Sequence, residues 1–186
     1  MNLFLGFFPD DESKKRISEV VTGVKSTFDG FDIKVRWSDP KTYHMTILFL
    51  GDKVAFPRIL LCKQKLKNFA FKKFRIRFNS VKLGISRRYR ELLYLDLLEG
   101  GDEMRQLYLE LRKLTGAKED VNFIPHLTLG RINKDLSTQE YMNIVKDLSV
   151  VTKKLKVNKI EFEVDKIELI KSEDGLYTVQ MSVIGI

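Results

Sequence analysis

YHMTILFLG, residues 43–51, and FIPHLTLGR, residues 123–131, decide how this chain is read. Between them they hold its two histidines, His44 and His126. Each histidine is followed two places on by a threonine, Thr46 or Thr128, and three places on by an aliphatic residue. Both stretches have the length and apolar character of strands, and in a strand residues i and i+2 point to one face. Each therefore presents an imidazole beside a hydroxyl, on a strand whose following residues (Ile47-Leu48-Phe49-Leu50, and Leu129) anchor it in the core. A single histidine opening a strand is more commonly a packed, hydrogen-bonded residue. Two in the same frame, in a chain with no others, point to a shared task.

Working outward, strand-like and helix-like segments alternate along the whole chain. Residues 2–8 read as a buried first strand; the apolar start lacks a basic flank and ends at Pro9-Asp10-Asp11-Glu12, unlike a signal peptide. Asp10 or Asp11 then caps a helix whose inward face is Ile17, Val20, Val21, Val24 and Phe28. Strands are expected at 32–37 and 45–50, a helix at 58–69, and strands at 74–84 and 91–98. Gly100-Gly101-Asp102 opens a helix with Met104, Leu107, Leu111 and Leu114 on one side, ended by Gly116. A strand follows at 123–131. Ser137-Thr138-Gln139-Glu140 has the form of a capping box, opening a helix that turns Tyr141, Ile144, Val145 and Leu148 inward. Two strands close the chain, 155–170 with a bulge between Val164 and Ile167, and 176–184. No linker rich in Pro, Gly or Ser divides it. A loose echo of strand, helix, H-x-T strand, helix in each part predicts a single domain, 1–186, of two similar lobes in the α+β class.

Composition narrows the chemistry. The 186 residues are 44% hydrophobic and 31% charged, the make-up of a globular domain. No apolar run approaches membrane-spanning length, so no membrane partner is expected. One cysteine, Cys62, cannot form an internal disulfide and fits a reducing, cytoplasmic compartment. Too few Cys and His are present for a zinc site of the usual kind, and no cofactor is expected. The formal charge of +8 suits a polyanionic partner, chiefly nucleic acid.

Paired imidazoles suit acid–base catalysis at a phosphodiester. With an ordinary pKa near 6.5, one can be neutral while the other is protonated. One removes a proton from an attacking oxygen as the other protonates the leaving oxygen. The Thr46 and Thr128 hydroxyls can donate to the phosphate's non-bridging oxygens, and Arg131 can add a charge-assisted bond. Such a mechanism needs no metal.

Two H-x-T-[LI] tetrapeptides some eighty residues apart resemble the two-histidine phosphoesterase superfamily. Within it the chain is most similar to the RNA 2',3'-cyclic phosphodiesterases, long called 2'-5' RNA ligases. RWSDPKTYHMTILFLGD, FIPHLTLGR, the opening LFLGFFPDDE and the closing IELIKSEDGLYTV all resemble that family, and residues 52–90 are the least distinctive. The resemblance implies a bilobal fold, two pseudo-symmetric antiparallel-rich sheets with flanking helices around a central cleft. It also implies hydrolysis of an RNA or oligonucleotide 2',3'-cyclic phosphate end to a 2'-phosphomonoester. Separately, the chain is expected to act as a monomer. By motif position His44 is then the general acid and His126 the general base, with Thr46, Thr128 and Arg131 holding phosphate. Met45 and Ile47 stand where leucines are common, at positions that face away from the cleft.

Other features carry less. Trp37 could stack a base or pack at the core's edge. The basic clusters Lys72-Lys73-Phe74-Arg75 and Arg87-Arg88-Tyr89-Arg90 could follow an RNA backbone or be solvated turns. Cys62 reads as core filling. Two alternatives stay open: a 2'-5' oligonucleotide or cyclic nucleotide phosphodiesterase, or a ligase, of the same superfamily; and a basic RNA-binding module that grips phosphate without turning it over.

Overall fold

Alternation of apolar residues becomes, in the computed structural model, nine strands and four α-helices among the described residues, 2–86, 89–118, 123–133 and 135–186. In chain order they are β1 (Asn2–Phe7), α1 (Asp11–Asp29), β2 (Val35–Trp37), β3 (Met45–Asp52), α2 (Phe56–Leu66), β4 (Phe74–Leu83), β5 (Leu92–Glu99), α3 (Gly101–Thr115), β6 (Leu127–Ile132), α4 (Thr138–Lys154), β7 (Glu161–Val164), β8 (Lys166–Glu173) and β9 (Leu176–Ile184). Every pairing is antiparallel, and the fold is α+β as expected.

The strand order is β7-β4-β5-β6-β3-β1-β8-β9, with β2 added to β6. Four strands lie on each side of the β6–β3 seam, and each H-x-T strand is the innermost of its half. The halves pair edge to edge at Met45 and Leu127. Further along, the edge of β6 is taken by β2, where Trp37 lies opposite Gly130. A Cβ on Gly130 would stand 2.8 Å from the Arg36 carbonyl oxygen, so only glycine lets β2 approach this closely. One buried cluster, from Leu3 and Phe7 through Met45, Ile47, Leu93 and Leu127 to Ile167, runs beneath both halves.

Local chemistry accounts for the elements. The Asp10 side chain accepts from Ser13 N at the start of α1, and the Ser137–Glu140 capping box opens α4 as expected. Pro57 at the first turn of α2 starts that helix at Phe56, two residues earlier than the spacing predicted. Three expectations are corrected. The strand placed at 32–37 is confined to Val35–Trp37, because Asp32 adopts a positive φ of 50° in the preceding turn. The strand placed at 123–131 begins only at Leu127, since Pro125 has no N–H to give a ladder. The single bulged strand placed at 155–170 is instead the C-cap of α4 at Leu155, a 3₁₀ turn over Val157–Lys159 and two separate strands. β7 pairs with β4 and β8 with β1, so the slip between Val164 and Ile167 is where the chain crosses from one half to the other. Arg87 and Arg88 of the basic turn lie outside the described residues. No helix among the described residues is long and apolar enough to cross a membrane.

Candidate active site

His44 stands one residue before β3, on a 3₁₀ turn over Pro40–Thr42 that the sequence builds from Asp39 and Pro40. The Asp39 carboxylate accepts from Lys41 N at 2.8 Å. This turn aims the Thr42 carbonyl at the histidine, and Nδ1 of His44 lies 2.8 Å from it. His126 stands one residue before β6, with its Nδ1 2.7 Å from the Ile124 carbonyl. Phe123, stacked on Tyr108 of α3 at 4.6 Å, ties that segment down. A carbonyl oxygen can only accept, so Nδ1 carries the proton in both rings. Both Nε2 atoms are thereby left for other partners.

A cavity of about 430 Å³ lies between the halves. His44, Thr46, His126, Thr128 and Arg131 all line it. Trp37 does not; its ring packs edge-on against Phe28 at 5.9 Å with Lys25 over it. Trp37 is thus placed at the edge of the core.

Two β-bulges decide which side chains reach the cavity. In β3, Leu48 pairs with Leu5 and Thr46 with Gly6, so Ile47 is the extra residue. In β6, Gly130 pairs with Leu93 and Thr128 with Tyr94, so Leu129 is the extra one. Strict alternation would turn residues three beyond each threonine into the core. The bulge reverses the parity and returns Phe49 and Arg131 to the cleft face. Phe49 is accordingly 50% exposed while Ile47 and Leu48 are buried. Arg131 reaches the cavity only by this device, which neither the tetrapeptide spacing nor the alternation rule discloses. The two strands are equivalent up to this position and then differ, with an aromatic ring in one half and a guanidinium in the other.

Several lining residues carried no signal of their own in the sequence. Tyr177 on β9 meets the His44 ring edge-on at 5.0 Å, and Phe4 on β1 lies 5.1 Å from it. Asn2, Ser38 and Ser172 supply polar groups. Glu91, just before β5, holds Nη1 of Arg131 at 2.9 Å. On the other side, the Tyr94 ring is edge-on to His126 at 5.7 Å. Burial pushes both imidazoles below their ordinary pKa. The Nδ1 hydrogen bonds oppose this, while His126 adds to the effect on His44 and Arg131 to that on His126. Among the described residues no group of three or more His, Cys, Asp or Glu is placed to hold a metal ion.

Comparison with known proteins gives the family. The profile of the 2'-5' RNA ligase superfamily matches residues 1–176. The chain belongs to the 2'-5' RNA ligase superfamily. An RNA 2',3'-cyclic phosphodiesterase of Aquifex aeolicus is 30% identical over 136 residues, 69% of this chain and 69% of its own. A protein of the same name from Archaeoglobus fulgidus is 27% identical over 158 residues, covering 80% and 81%. Among solved structures, E. coli LigT in its apo form superposes with a TM-score of 0.71 at 15% identity, covering 99% of this chain and 96% of that one. That likeness concerns the superfamily's fold. The family expected from the two H-x-T stretches is the one found.

Proposed function

We propose that this protein hydrolyses the 2',3'-cyclic phosphate at an RNA end to a 2'-phosphomonoester, by general acid–base catalysis from its two histidines. The observation that carries the reading is the matched hydrogen bonding of the rings. Each Nδ1 is held by a carbonyl two residues back, which leaves two Nε2 atoms, one from each half, for a single cavity.

In this reading Nε2 of His126 takes a proton from water as the oxygen attacks phosphorus. The bond from phosphorus to the 3'-oxygen breaks, and His44 gives its Nε2 proton to that oxygen. Thr46 and Thr128 donate to the non-bridging oxygens, and Arg131, held by Glu91, offsets their growing charge. His44 must start protonated, and an anionic phosphate beside it raises the proton affinity that burial lowers. Phe49 and Tyr177 give the terminal base an apolar wall, the part the sequence suggested for Trp37. No step needs a metal. Residues 1–186 work as one domain, since each half provides one histidine. The names of the relatives from Aquifex and Archaeoglobus support the substrate class.

The test is incubation of a short RNA ending in 2',3'-cyclic phosphate with the protein in EDTA, followed by identification of the monoester. A 2'-phosphate product is expected. Absence of turnover, with the RNA still bound, would instead support a phosphate-gripping module.

A further inference from the structure

Beyond the catalytic cavity, the cleft face of the second half continues as a row of side chains. Thr128 on β6 lies opposite Tyr94 on β5, and Tyr94 opposite Lys82 on β4. At one strand spacing per step, Lys82 lies about 10 Å from Thr128. Tyr94 is both the neighbour of His126 and a wall of two further cavities, one to each side of this row.

The two cavities differ in charge. The larger, about 690 Å³, has four carboxylates in its lining, Asp96, Glu99, Asp102 and Glu103, against three cations. The other, about 600 Å³ between β4 and α4, has Lys82 and Lys153 and no carboxylate in its lining. Asp96 reaches Lys82 at 3.6 Å from outside it. Tyr94 and Tyr141 give this second cavity two rings, and Arg90 of the basic turn lies 5.2 Å over the Tyr141 ring. The Tyr141 hydroxyl is held by the Leu83 carbonyl at 2.7 Å, so the ring is fixed in place.

We propose that the cavity between β4 and α4 is the subsite for the nucleotide preceding the cyclic end, so that the protein acts on RNA chains in preference to free cyclic mononucleotides. The inference rests on the catalytic reading above and names its substrate more closely. Charge favours this cavity over its larger neighbour, because its lining has two lysines and no carboxylate, whereas the larger has four carboxylates against three cations, Lys82 being common to both. The row through the buried Tyr94 gives continuity with the site of reaction, and the partly exposed Tyr141 ring offers a surface on which a base can stack. Arg90 stands at the cavity's Tyr141 wall.

The test compares adenosine 2',3'-cyclic phosphate with the dinucleotide ApA ending in the same group. The wild type is expected to favour the dinucleotide in kcat/KM by about tenfold or more, the value of one charge-assisted phosphate contact. Lys153→Glu should erase the preference, whereas Lys146→Glu, the same charge change on α4 away from this lining, should keep it. Equal use of both substrates by the wild type overturns the proposal, as does an equal loss in the two variants. A second arm measures binding of ApA 3'-phosphate and adenosine 3'-phosphate by calorimetry. If the wild type hydrolyses neither cyclic substrate, the catalytic reading fails. The subsite then stands if the dinucleotide binds more tightly in a Lys153-dependent way, and falls if it does not.

Discussion

His44 and His126 share a frame but differ in surroundings. His44 lies among Phe4, Phe8 and Tyr177, while His126 has Tyr94 against it and Arg131 as a charged neighbour. Burial dominates in both cases and pushes both pKa values down. The consequence for stability follows from linkage. In the unfolded chain the rings take up protons near pH 6.5, whereas the folded protein resists protonation until lower pH. The unfolded state therefore binds more protons in that window, and stability falls as pH drops from about 6.5 towards the folded values. Urea unfolding at pH 7.5 and 5.5 should show the wild type losing more stability than a variant carrying both His44→Gln and His126→Gln. Identical losses would mean that the rings are not shielded as described. At this scale the sequence disclosed in part which side chains line the cavity. The histidines and threonines were legible because period 2 puts them on one face. Glu91, Tyr177 and Ser172 were not, because the residues they meet are brought together by strand pairing across long separations.

The elements place the site through their irregularities. Bulges at Ile47 and Leu129 turn Phe49 and Arg131 into the cleft, and Gly6 makes the first of them feasible. A Cβ on Gly6 would collide with the Met45 carbonyl oxygen, a backbone atom that cannot swing aside. Gly6→Ala must therefore push β3 away from β1 next to Thr46. We expect a loss of about 1–3 kcal/mol in unfolding free energy, as for other overpacked sites, together with reduced turnover. An alanine variant with full stability and full activity would show that the two strands are not held this closely. Strands and helices with a clean period were legible to within a few residues, α1 and α4 best of all through their caps. The bulges were not, because an inserted residue leaves no mark in an apolar run such as ILFL or LTLG. The segment 155–170 misled for the opposite reason. A break in alternation looked like a bulge within one strand, while the chain was leaving one half of the sheet for the other.

At the scale of the whole molecule, the echo in the sequence corresponds to β1–α1–β3–α2 and β5–α3–β6–α4, with each H-x-T strand at the seam. The crossing of β2 into the second half, and of the chain between β7 and β8, had no sequence signal. Both depend on which edge is free once the others have paired. The central claim is that two histidines from two halves act as one catalytic unit on one phosphate. Groups that act as a unit are strongly non-additive on removal. The most direct measurement is kcat/KM on an RNA 2',3'-cyclic phosphate for wild type, His44→Gln, His126→Gln and the double variant. Each single change should cost about a hundredfold or more, as loss of an acid or a base does. The double variant should be little worse than the poorer single. A single variant with near wild-type turnover, or a double variant whose loss is the product of two independent losses, would contradict the paired mechanism.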